Sequence, residues 1–333
     1  MILIGEKRQF KANLHSHSTL SDGSLSPEEL KRVYKARGYS VLAITDHDYP
    51  YDHSAMSEDD FLMLTGYEAT IRVDPDNKYD IYAPEIHINL FAREAGNVTL
   101  LCYAPHHCKH LHKNPEYLAS IPKAGSGAPR SYGVDYVNEF VKVANEVGYI
   151  CSHNHPSWSL EEDETVYQYR GFFSMEIRNH ISLEYNAALY DKLLRKGRRI
   201  FCHGADDNHN RPPLDSRYSD SFGAFTYILA DKLDYASVFS ALEKGDFYAS
   251  QGPEIHELRI EDGKAFIKTS AADKIFMHFG SKHLGLVYDE SGDGITEASF
   301  DVPKDAPYLR FSVWDKSGRS ADTRGYFRDE IGL

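Results

Sequence analysis

Short apolar runs alternate with amphipathic stretches from residue 10 to about residue 250, and this alternation constrains the fold more than any other feature. The run at 40–45 is almost continuously apolar, as in a strand that is buried on both faces of a parallel sheet. Before it, Ser26 can cap a helix, with Pro27 in the first turn and Glu29 completing a capping box. The repeated strand–helix order predicts an α/β protein with a parallel sheet.

The rest of the chain keeps this order until the pattern changes near residue 250. We expect strands at 11–15, 61–65, 86–91, 99–103, 149–152, 173–177 and 199–203, and helices at 132–146, 183–195 and 235–244. Beyond that point the apolar segments are short and strand-like, with turns such as Glu261-Asp262-Gly263 between them. We therefore predict two domains: residues 1–250 with α/β structure, and residues 251–333 as a small antiparallel, sandwich-like β domain.

Charge and composition disfavour several classes of protein. Lysine and arginine number 37 against 50 aspartates and glutamates, so the formal net charge is −13. Proteins that grip a nucleic-acid backbone or an anionic membrane are normally basic, so neither partner is expected. No apolar stretch approaches the ~20 residues that cross a bilayer, and residues 1–10 lack the apolar core of a signal peptide. The four cysteines have no Cys-x-x-Cys spacing, which favours reduced thiols in a cytoplasmic protein.

The 17 histidines are the unusual part of the composition, and many of them lie where predicted strands end. His15 and His17 leave the first strand as a His-x-His pair, and residues two apart on a strand point to the same face. The turn that contains Asp22 can return a carboxylate to these imidazoles. Because histidine is the commonest metal ligand, these side chains can share a metal ion.

Five further strands carry imidazoles or carboxylates at or near their ends. These residues are Asp46, His47, Glu68, His87, His153, His155, Asp206, Asp207 and His209. In α/β barrels the active site lies at the carboxyl ends of the strands, so these side chains are expected to meet there. The residues alone leave two choices open, between His153 and His155 and between Asp206 and Asp207.

In their order along the chain, these motifs closely resemble those of the PHP family, named for polymerase and histidinol phosphatase. The matching segments are His15-Ser16-His17, Ser21-Asp22-Gly23, Ile44-Thr45-Asp46-His47, Gly66-Tyr67-Glu68, His87, His155-Pro156 and Asp207-Asn208-His209. The resemblance covers residues 10 to about 250. It implies a distorted (β/α)7 barrel with a metal cluster at the strand ends, and hydrolysis of phosphate esters. The segment from Ser250 resembles a β domain that is attached to some members.

The resemblance also implies which residues bind metal. The ligands would be His15, His17, Asp22, His47, Glu68, His87, His155, Asp207 and His209. His155 is preferred because the family's ligand directly precedes proline, and Asp207 because the pattern is Asp-x-His. By resemblance the ligands form three groups, with Glu68 bridging the first metal to the second: His15, His17 and Asp207; His87 and His155; Asp22, His47 and His209. Mixed imidazole and carboxylate ligands suit Mn, Fe or Zn, so two or three such divalent ions are expected.

These ligands favour a metal-dependent phosphoesterase, a phosphatase or phosphodiesterase, that acts on a small phosphorylated molecule. A metal lowers the pKa of bound water toward about 7, so a hydroxide that bridges two ions can attack phosphorus. Glu68 and Asp207 are the catalytic carboxylates of this hypothesis. Two alternatives stay open: the same hydroxide could cleave a carboxylic ester or an amide, or the metals could stabilise a non-catalytic binding scaffold. The sequence carries no signal for an oligomeric state.

Arginines are the expected phosphate contacts, because a guanidinium pairs with phosphate oxygens as a fork. Arg211 and Arg178, each near a strand end, are the predicted catalytic arginines. Arg130 lies in the glycine-rich stretch 125–130, which could close over the site as a flap. Glu176 and Asn179 are predicted to support the metal ligands, since such ligands are usually held by further hydrogen bonds.

Several other side chains have less specific signals. His180 and His203 are candidates for protonating the leaving group, by neighbourhood alone. The segment 104–130 carries a cluster of four histidines and is expected to be a polar loop that shapes the substrate pocket: His106, His107, His110 and His112. Trp158, close after the His155-Pro156 turn, could stack on a sugar or a base.

Overall fold

The computed structural model describes residues 1–73, 81–127 and 129–332. Its helices are α1 Pro27–Ala36, α2 Pro115–Ser120, α3 Val134–Glu146, α4 Asp163–Val166, α5 Ala187–Arg195 and α6 Tyr235–Lys244. The first strands are β1 Ile2–Ile4, β2 Arg8–Asn13, β3 Val41–Ala43, β4 Leu62–Leu64, β5 Gly66–Arg72, β6 Glu85–Ala92, β7 Leu100–Leu101, β8 Lys123–Ala124, β9 Tyr149–His153, β10 Phe172–Asn179 and β11 Glu184–Tyr185. The remaining strands are β12 Phe201–Ala205, β13 Phe225–Ala230, β14 Phe247–Ser250, β15 Ile255–Glu261, β16 Lys264–Ala272, β17 Lys274–His278, β18 Gly285–Tyr288, β19 Ile295–Asp301, β20 Tyr308–Trp314, β21 Ser320–Thr323 and β22 Tyr326–Phe327. Within the described ranges, no helix has the length and apolarity needed to cross a bilayer.

Most strands belong to two large sheets and one smaller sheet. The first large sheet has the order β11-β10-β9-β6-β5, with β12 also paired to β10. The second has the order β18-β17-β20-β21-β14-β13-β2-β3-β4, with β22 paired to β20. The small sheet has the order β1-β15-β16-β19. The protein is thus a mixed α/β structure with many strands and few helices.

Helices cover the large sheets with their apolar faces. Helix α3 buries Phe140 and Val141 against the first sheet, in the same core as Leu193 of α5. Helix α6 buries Phe239 and Leu242 against the second sheet. Because removal of apolar surface from water drives folding, these contacts fix the sheets whose strand ends carry the site.

The predicted start of the first helix is confirmed. The Ser26 side chain accepts a hydrogen bond from the Glu29 amide at 3.2 Å, and the Glu29 carboxylate accepts one from the Ser26 amide at 2.9 Å. The predicted helix at 183–195 is correct only from Ala187, because residues 184 and 185 form strand β11. Strands β1, β5, β13 and β14 are not among the predicted elements.

The expectation of a parallel sheet is wrong, because the sheets are mixed. Strands β2, β3 and β4 are parallel, as are β9, β10 and β12. Strand β6 is antiparallel to both β5 and β9, and β13 is antiparallel to β2. A buried apolar run has the same composition in either direction, so such a run does not report strand direction.

The strands do not close into the expected (β/α)7 barrel among the described residues, since two seams interrupt the hydrogen-bonded ladders. At one seam the chain passes from β4 to β5, and two isolated bridges lie across it, His47 with Glu68 and Tyr51 with Gly66. At the other seam, between β12 and β13, the Thr226 hydroxyl donates to the Gly204 carbonyl at 2.8 Å and accepts from its amide at 3.2 Å. A Cβ on Gly204 would lie 2.8 Å from the Phe225 carbonyl oxygen, so glycine permits this close approach.

The division into domains at residue 250 stays a prediction, and strand pairing crosses that point twice. Strand β1 pairs with β15, and β14 pairs with β21. An ion pair also crosses it: the buried Arg310 guanidinium donates to both carboxylate oxygens of Asp191 in α5, at 2.7 and 2.6 Å. The C-terminal strands are therefore attached to the α/β part by backbone ladders and by a buried charge.

Replacement of Asp191 tests this attachment. We expect Asp191→Ala to lower the free energy of unfolding by about 3 kcal/mol, because Arg310, with only 1% of its side chain exposed, loses its closest partner. Chemical denaturation measures this change. The matched control is Asp329→Ala, which removes the exposed partner of Arg199 and should cost less than about 1 kcal/mol. An equal loss of stability in the two variants would contradict the role given to the pair of Arg310 and Asp191.

Candidate metal centre

The predicted metal ligands lie together at one cavity. Strands β5 and β6 carry Glu68 and His87, and the segments after β2, β3, β9 and β12 carry the others. The cavity has a volume of about 770 Å³, and its wall includes Asp22, His47, Glu68, His87, His155, Asp207 and His209. His15 and His17 are fully buried behind this wall. Because β6 is antiparallel to its neighbours, His87 reaches the cavity from the first part of its strand, unlike the expected strand-end position.

Two imidazoles and two carboxylates converge at the centre. His15 Nε2 lies 3.2 Å from His17 Nε2, and both atoms lie within 3.2 Å of Asp207 Oδ1. The Glu68 carboxylate lies 3.2 Å from the first of these nitrogens and 3.5 Å from the second. Two ring nitrogens this close can share a proton or a cation with the facing carboxylates.

Glu68 stands between this group and further imidazoles. Its Oε1 lies 3.0 Å from His87 Nδ1 and 3.5 Å from His155 Nε2, and its Oε2 lies 3.0 Å from His47 Nδ1. The Asn154 amide also donates to Oε1, at 2.8 Å. A carboxylate with imidazoles on both sides has the position of a bridging ligand.

A tight turn brings Asp22 to the same place. The Gly23 amide donates to the Ser18 carbonyl at 2.9 Å, which folds the turn back on the strand end. A Cβ on Gly23 would lie 2.1 Å from the His17 carbonyl oxygen, so only glycine allows this contact. As a result, Asp22 Oδ1 lies 3.4 Å from His209 Nε2 and 3.8 Å from His47 Nε2.

Ligand atoms within 4.8 Å of one another define how the residues group: His15, His17 and Asp207; His17, Asp22, His47 and His209; His47, Glu68 and His87; His15, His155 and Glu176. The structure thus brings together the first and third predicted groups. The second predicted group is divided: Glu68 and His87 lie near His47, whereas His155 lies near His15. A neutral imidazole has one acceptor nitrogen, so a histidine that belongs to two groups can serve only one ion.

Strand β10 supplies the polar support behind the cluster. Glu176 Oε1 lies 2.7 Å from His15 Nδ1, which directs the other ring nitrogen to the cluster. Glu176 Oε2 accepts from the His155 amide at 3.0 Å and from the Asn179 side chain at 2.9 Å. The Asn179 side chain also lies 3.3 Å from Asp207 Oδ2. The predicted support by Glu176 and Asn179 thus has direct contacts with three ligands.

Charge and burial set the protonation states. Burial lowers the pKa of His15, but nearby carboxylates, led by Asp207, raise it well above its ordinary value. Burial and the adjacent imidazoles lower the pKa of His17 to about 3. Burial opposes ionisation of Glu68, but the imidazoles around it, led by His87, hold its pKa well below the usual range. A neutral His17 and an ionised Glu68 are the forms that bind cations.

Two buried atoms at the centre, His47 Nδ1 and Glu68 Oε2, are placed to bind a cation. His47 Nδ1 and Glu68 Oε2 are 3.0 Å apart, yet neither has a hydrogen-bond partner among the described residues. Buried polar atoms are almost always paired, since an unpaired one costs about 1–3 kcal/mol. A divalent ion accepts electron pairs from both atoms, and this mixture of nitrogen and oxygen donors suits Mn, Fe or Zn. The residues therefore fit the ions expected from the sequence.

The two residues that were not preferred as ligands have other partners. His153 Nε2 contacts the buried carboxylate of Glu161. The Asp206 carboxylate accepts three backbone amides of residues 222–224 at 2.7–3.0 Å and the Tyr34 hydroxyl at 2.7 Å. His155 and Asp207 are thus the members of each pair that face the cavity.

Two of the proposed phosphate-binding arginines lie elsewhere. Arg178 donates to the Ser320 hydroxyl at 2.8 Å and stacks 3.4 Å from the Tyr185 ring centroid, so it faces the C-terminal strands. Arg130 is buried with Asp48, 2.6 Å away, and also donates to two backbone carbonyls. Neither lines the cavity, so both predictions are corrected. For Arg178, a position near a strand end did not give the side-chain direction, and for Arg130 the buried carboxylate of Asp48 holds the guanidinium away from the site. The proposed flap includes residue 128, which lies outside the described residues.

Arg211 does line the cavity, with its guanidinium 3.2 Å from Asp22 Oδ2. His180 also lines it, and its Nε2 lies 3.2 Å from the Ser219 carbonyl oxygen. His203 is fully buried and lies 3.1 Å from the Ser174 hydroxyl, so it does not reach the cavity. Of the two candidates for protonating the leaving group, only His180 therefore faces the cavity.

Two histidines of the 104–130 segment have local hydrogen-bond partners, and the segment does not have the expected role in the pocket. His107 Nε2 accepts from the Arg130 amide at 3.3 Å, and His112 Nε2 lies 3.3 Å from the Tyr103 hydroxyl. Where the structure describes this segment, none of its residues lines the cavity. The excursion packs on the sheet instead, with Leu111 in the core.

The cavity wall includes residues that the sequence did not single out. Arg72 lies four positions after Glu68 in β5, so both face the same side of the strand, and this spacing could have been read from the sequence. Arg217 and Tyr218 lie in the loop after β12, where no periodic signal exists. Ile181 and Leu183 also line the wall, although Leu183 falls in a segment predicted to be helical.

Comparison with known proteins gives one short sequence match and several structural likenesses. No protein-family profile matches the chain. A curated 5'-3' exoribonuclease of Haemophilus influenzae is 58% identical over 38 residues, which are 11% of this chain and 14% of that protein. The match therefore covers a small part of both chains.

Three solved structures are similar at low identity. A two-domain protein of Bacteroides vulgatus that contains a predicted PHP-like metal-dependent phosphoesterase is 13% identical, with a TM-score of 0.47, over 97% of this chain and 88% of its own. A proposed metal-dependent phosphoesterase of Bifidobacterium adolescentis is 16% identical, with a TM-score of 0.39, over 62% and 91%. An amidohydrolase of Chromobacterium violaceum is 15% identical, with a TM-score of 0.37, over 60% and 87%. At these values the residues of the site, not the likenesses, carry the functional conclusion.

Replacement of Glu176 tests the polar support of the cluster. We expect Glu176→Gln to weaken Mn²⁺ binding about 10- to 100-fold, because it removes the charge that orients His15. Titration calorimetry on metal-free protein measures the affinity. Glu161→Gln is the matched control, since Glu161 holds a buried histidine outside the cluster in the same way. An unchanged affinity in Glu176→Gln would contradict this role.

Proposed function

We propose that the protein is a metal-dependent hydrolase that cleaves phosphate esters of a small molecule. The observation that carries this proposal is the convergence of imidazoles and carboxylates on Glu68, whose Oε2 faces His47 Nδ1 at 3.0 Å without a hydrogen bond. When bound, divalent ions would supply hydroxide at neutral pH and positive charge for phosphate oxygens. The predicted ligands would hold two or three ions of Mn, Fe or Zn.

The chain's own residues would bind and orient the substrate. Glu68 and Asp207 hold the imidazoles of the cluster in fixed positions. Arg211 and Arg217 line the cavity, and their guanidinium groups can pair with the phosphate oxygens. Arg217 lies over the Tyr218 ring at 4.8 Å and has no carboxylate partner among the described residues, so its charge is free for an anion. The net charge of −13 favours a small molecule over a polynucleotide.

Hydrolysis of a carboxylic ester or an amide is the second candidate. A metal-bound hydroxide could also attack the carbonyl carbon of such a substrate. The arginines of the cavity favour a phosphate ester, because a guanidinium pairs with phosphate oxygens. A location in the cytoplasm is part of the same proposal.

A phosphate-release assay tests the main proposal. Metal-free protein supplied with Mn²⁺ should release 4-nitrophenol from 4-nitrophenyl phosphate, and a chelator should abolish the activity reversibly. Glu68→Gln should lower kcat/KM by more than about a hundredfold. His106→Ala, which removes an exposed histidine outside the cavity, is the control and should retain activity. Release that survives chelation, or turnover of carboxylic esters alone, would contradict the proposal.

Replacement of Arg217 tests the anion contact. We expect Arg217→Ala to weaken competitive inhibition by inorganic phosphate about tenfold, because a hydrogen bond to a charged group is lost. Arg199→Ala, which changes an exposed arginine outside the cavity, should leave the inhibition constant as it is. Equal inhibition of Arg217→Ala and the unsubstituted protein would show that Arg217 does not touch the anion.

A further inference from the structure

One side of the cavity is apolar and open to solvent. Four of the large apolar side chains that are exposed in the described chain line this cavity: Trp158 is 52% exposed, Ile181 41%, Leu183 82% and Tyr218 70%. Scattered exposed apolar residues are normal, but their concentration on one functional wall indicates a binding surface. Neither metal binding nor phosphate binding by the arginines requires an apolar wall.

The apolar wall begins at the metal centre itself. The Trp158 ring lies 5.3 Å from the His87 ring centroid and 5.0 Å from that of His155, the latter at an angle of 85°. Its backbone amide contacts the buried carboxylate of Glu184. The indole therefore stands beside two of the predicted ligands, where the part of a substrate next to the phosphate would lie.

Leu183 is held in place by the same residue that supports the metal ligands. The Asn179 side-chain oxygen accepts from the Ser182 amide at 3.1 Å and from its hydroxyl at 2.7 Å. The side-chain nitrogen of Asn179 donates to the carboxylates of Glu176 and Asp207. The turn that presents Leu183 is thus fixed relative to the cluster, although Leu183 itself buries little surface.

We propose that the substrate is a phosphate ester whose alcohol carries an apolar or planar group, and that Trp158 and Leu183 bind this group. The inference rests on the proposed function and names the substrate class of the same site. The phosphate would lie between the cluster and the arginines, and the alcohol would lie along the apolar wall. Burial of a ring against this wall stabilises the complex by removing apolar surface from water.

Two substrates with alcohols of similar acidity test the proposal: 2-phenylethyl phosphate and ethyl phosphate. With Mn²⁺, kcat/KM for the phenylethyl ester should be at least about tenfold higher. Trp158→Ala and Leu183→Ser should each reduce this preference. Competitive inhibition by 2-phenylethylphosphonate and ethylphosphonate gives the same comparison without turnover, and it should show the same preference.

Leu160→Ser is the matched control. Leu160 is 49% exposed and has a left-handed φ of 57°, the same φ as Leu183, but it does not line the cavity. The preference should survive in this variant. Equal kcat/KM for the two esters would overturn the apolar wall while leaving the phosphoesterase intact. Failure to hydrolyse either ester would instead count against the proposed function. In that case the relative affinities of the two phosphonates would still test whether the apolar wall binds an apolar group.

Discussion

Burial of several carboxylates among imidazoles is the constraint on which the rest of this structure depends. Glu68 is 1% exposed and Asp207 is 7% exposed. An ionised carboxylate out of water costs several kcal/mol unless opposite charge faces it. The imidazoles supply part of that charge, but His17, with a pKa of about 3, contributes none at neutral pH. Cations in the cluster would resolve this conflict.

The fold is arranged to bring these groups together from distant parts of the chain. Strands β2, β5, β6, β9 and β12 belong to different sheets, or to different parts of one sheet, and the seams between them are held by a few specific contacts. Gly23 and Gly204 occur where backbones approach too closely for any Cβ. Strand β10 then fixes the cluster from behind through Glu176. Its outward side chain, Arg178, attaches the same strand to the C-terminal strands.

Much of the ligand set could be predicted because its signals are local. A His-x-His pair, an Asp-x-His pair and a glycine turn each depend on neighbouring residues, so a short sequence motif contains them. The cap at Ser26 was predictable for the same reason. Strand direction, the pairing of β1 with β15 and the orientations of Arg130 and Arg178 depend on contacts between residues far apart in sequence. A single sequence contains no local record of those contacts.

We infer that the buried cluster binds divalent metal ions. Anomalous diffraction from crystals grown with Mn²⁺ tests it most directly, because the peaks locate the ions and count them. Two or three peaks are expected among the predicted ligands around His15, Glu68 and Asp22. A structure with two peaks would remove the ion assigned to the Asp22 group. If the protein binds manganese stoichiometrically in solution but no peak lies in the cluster, the cluster is not the metal site.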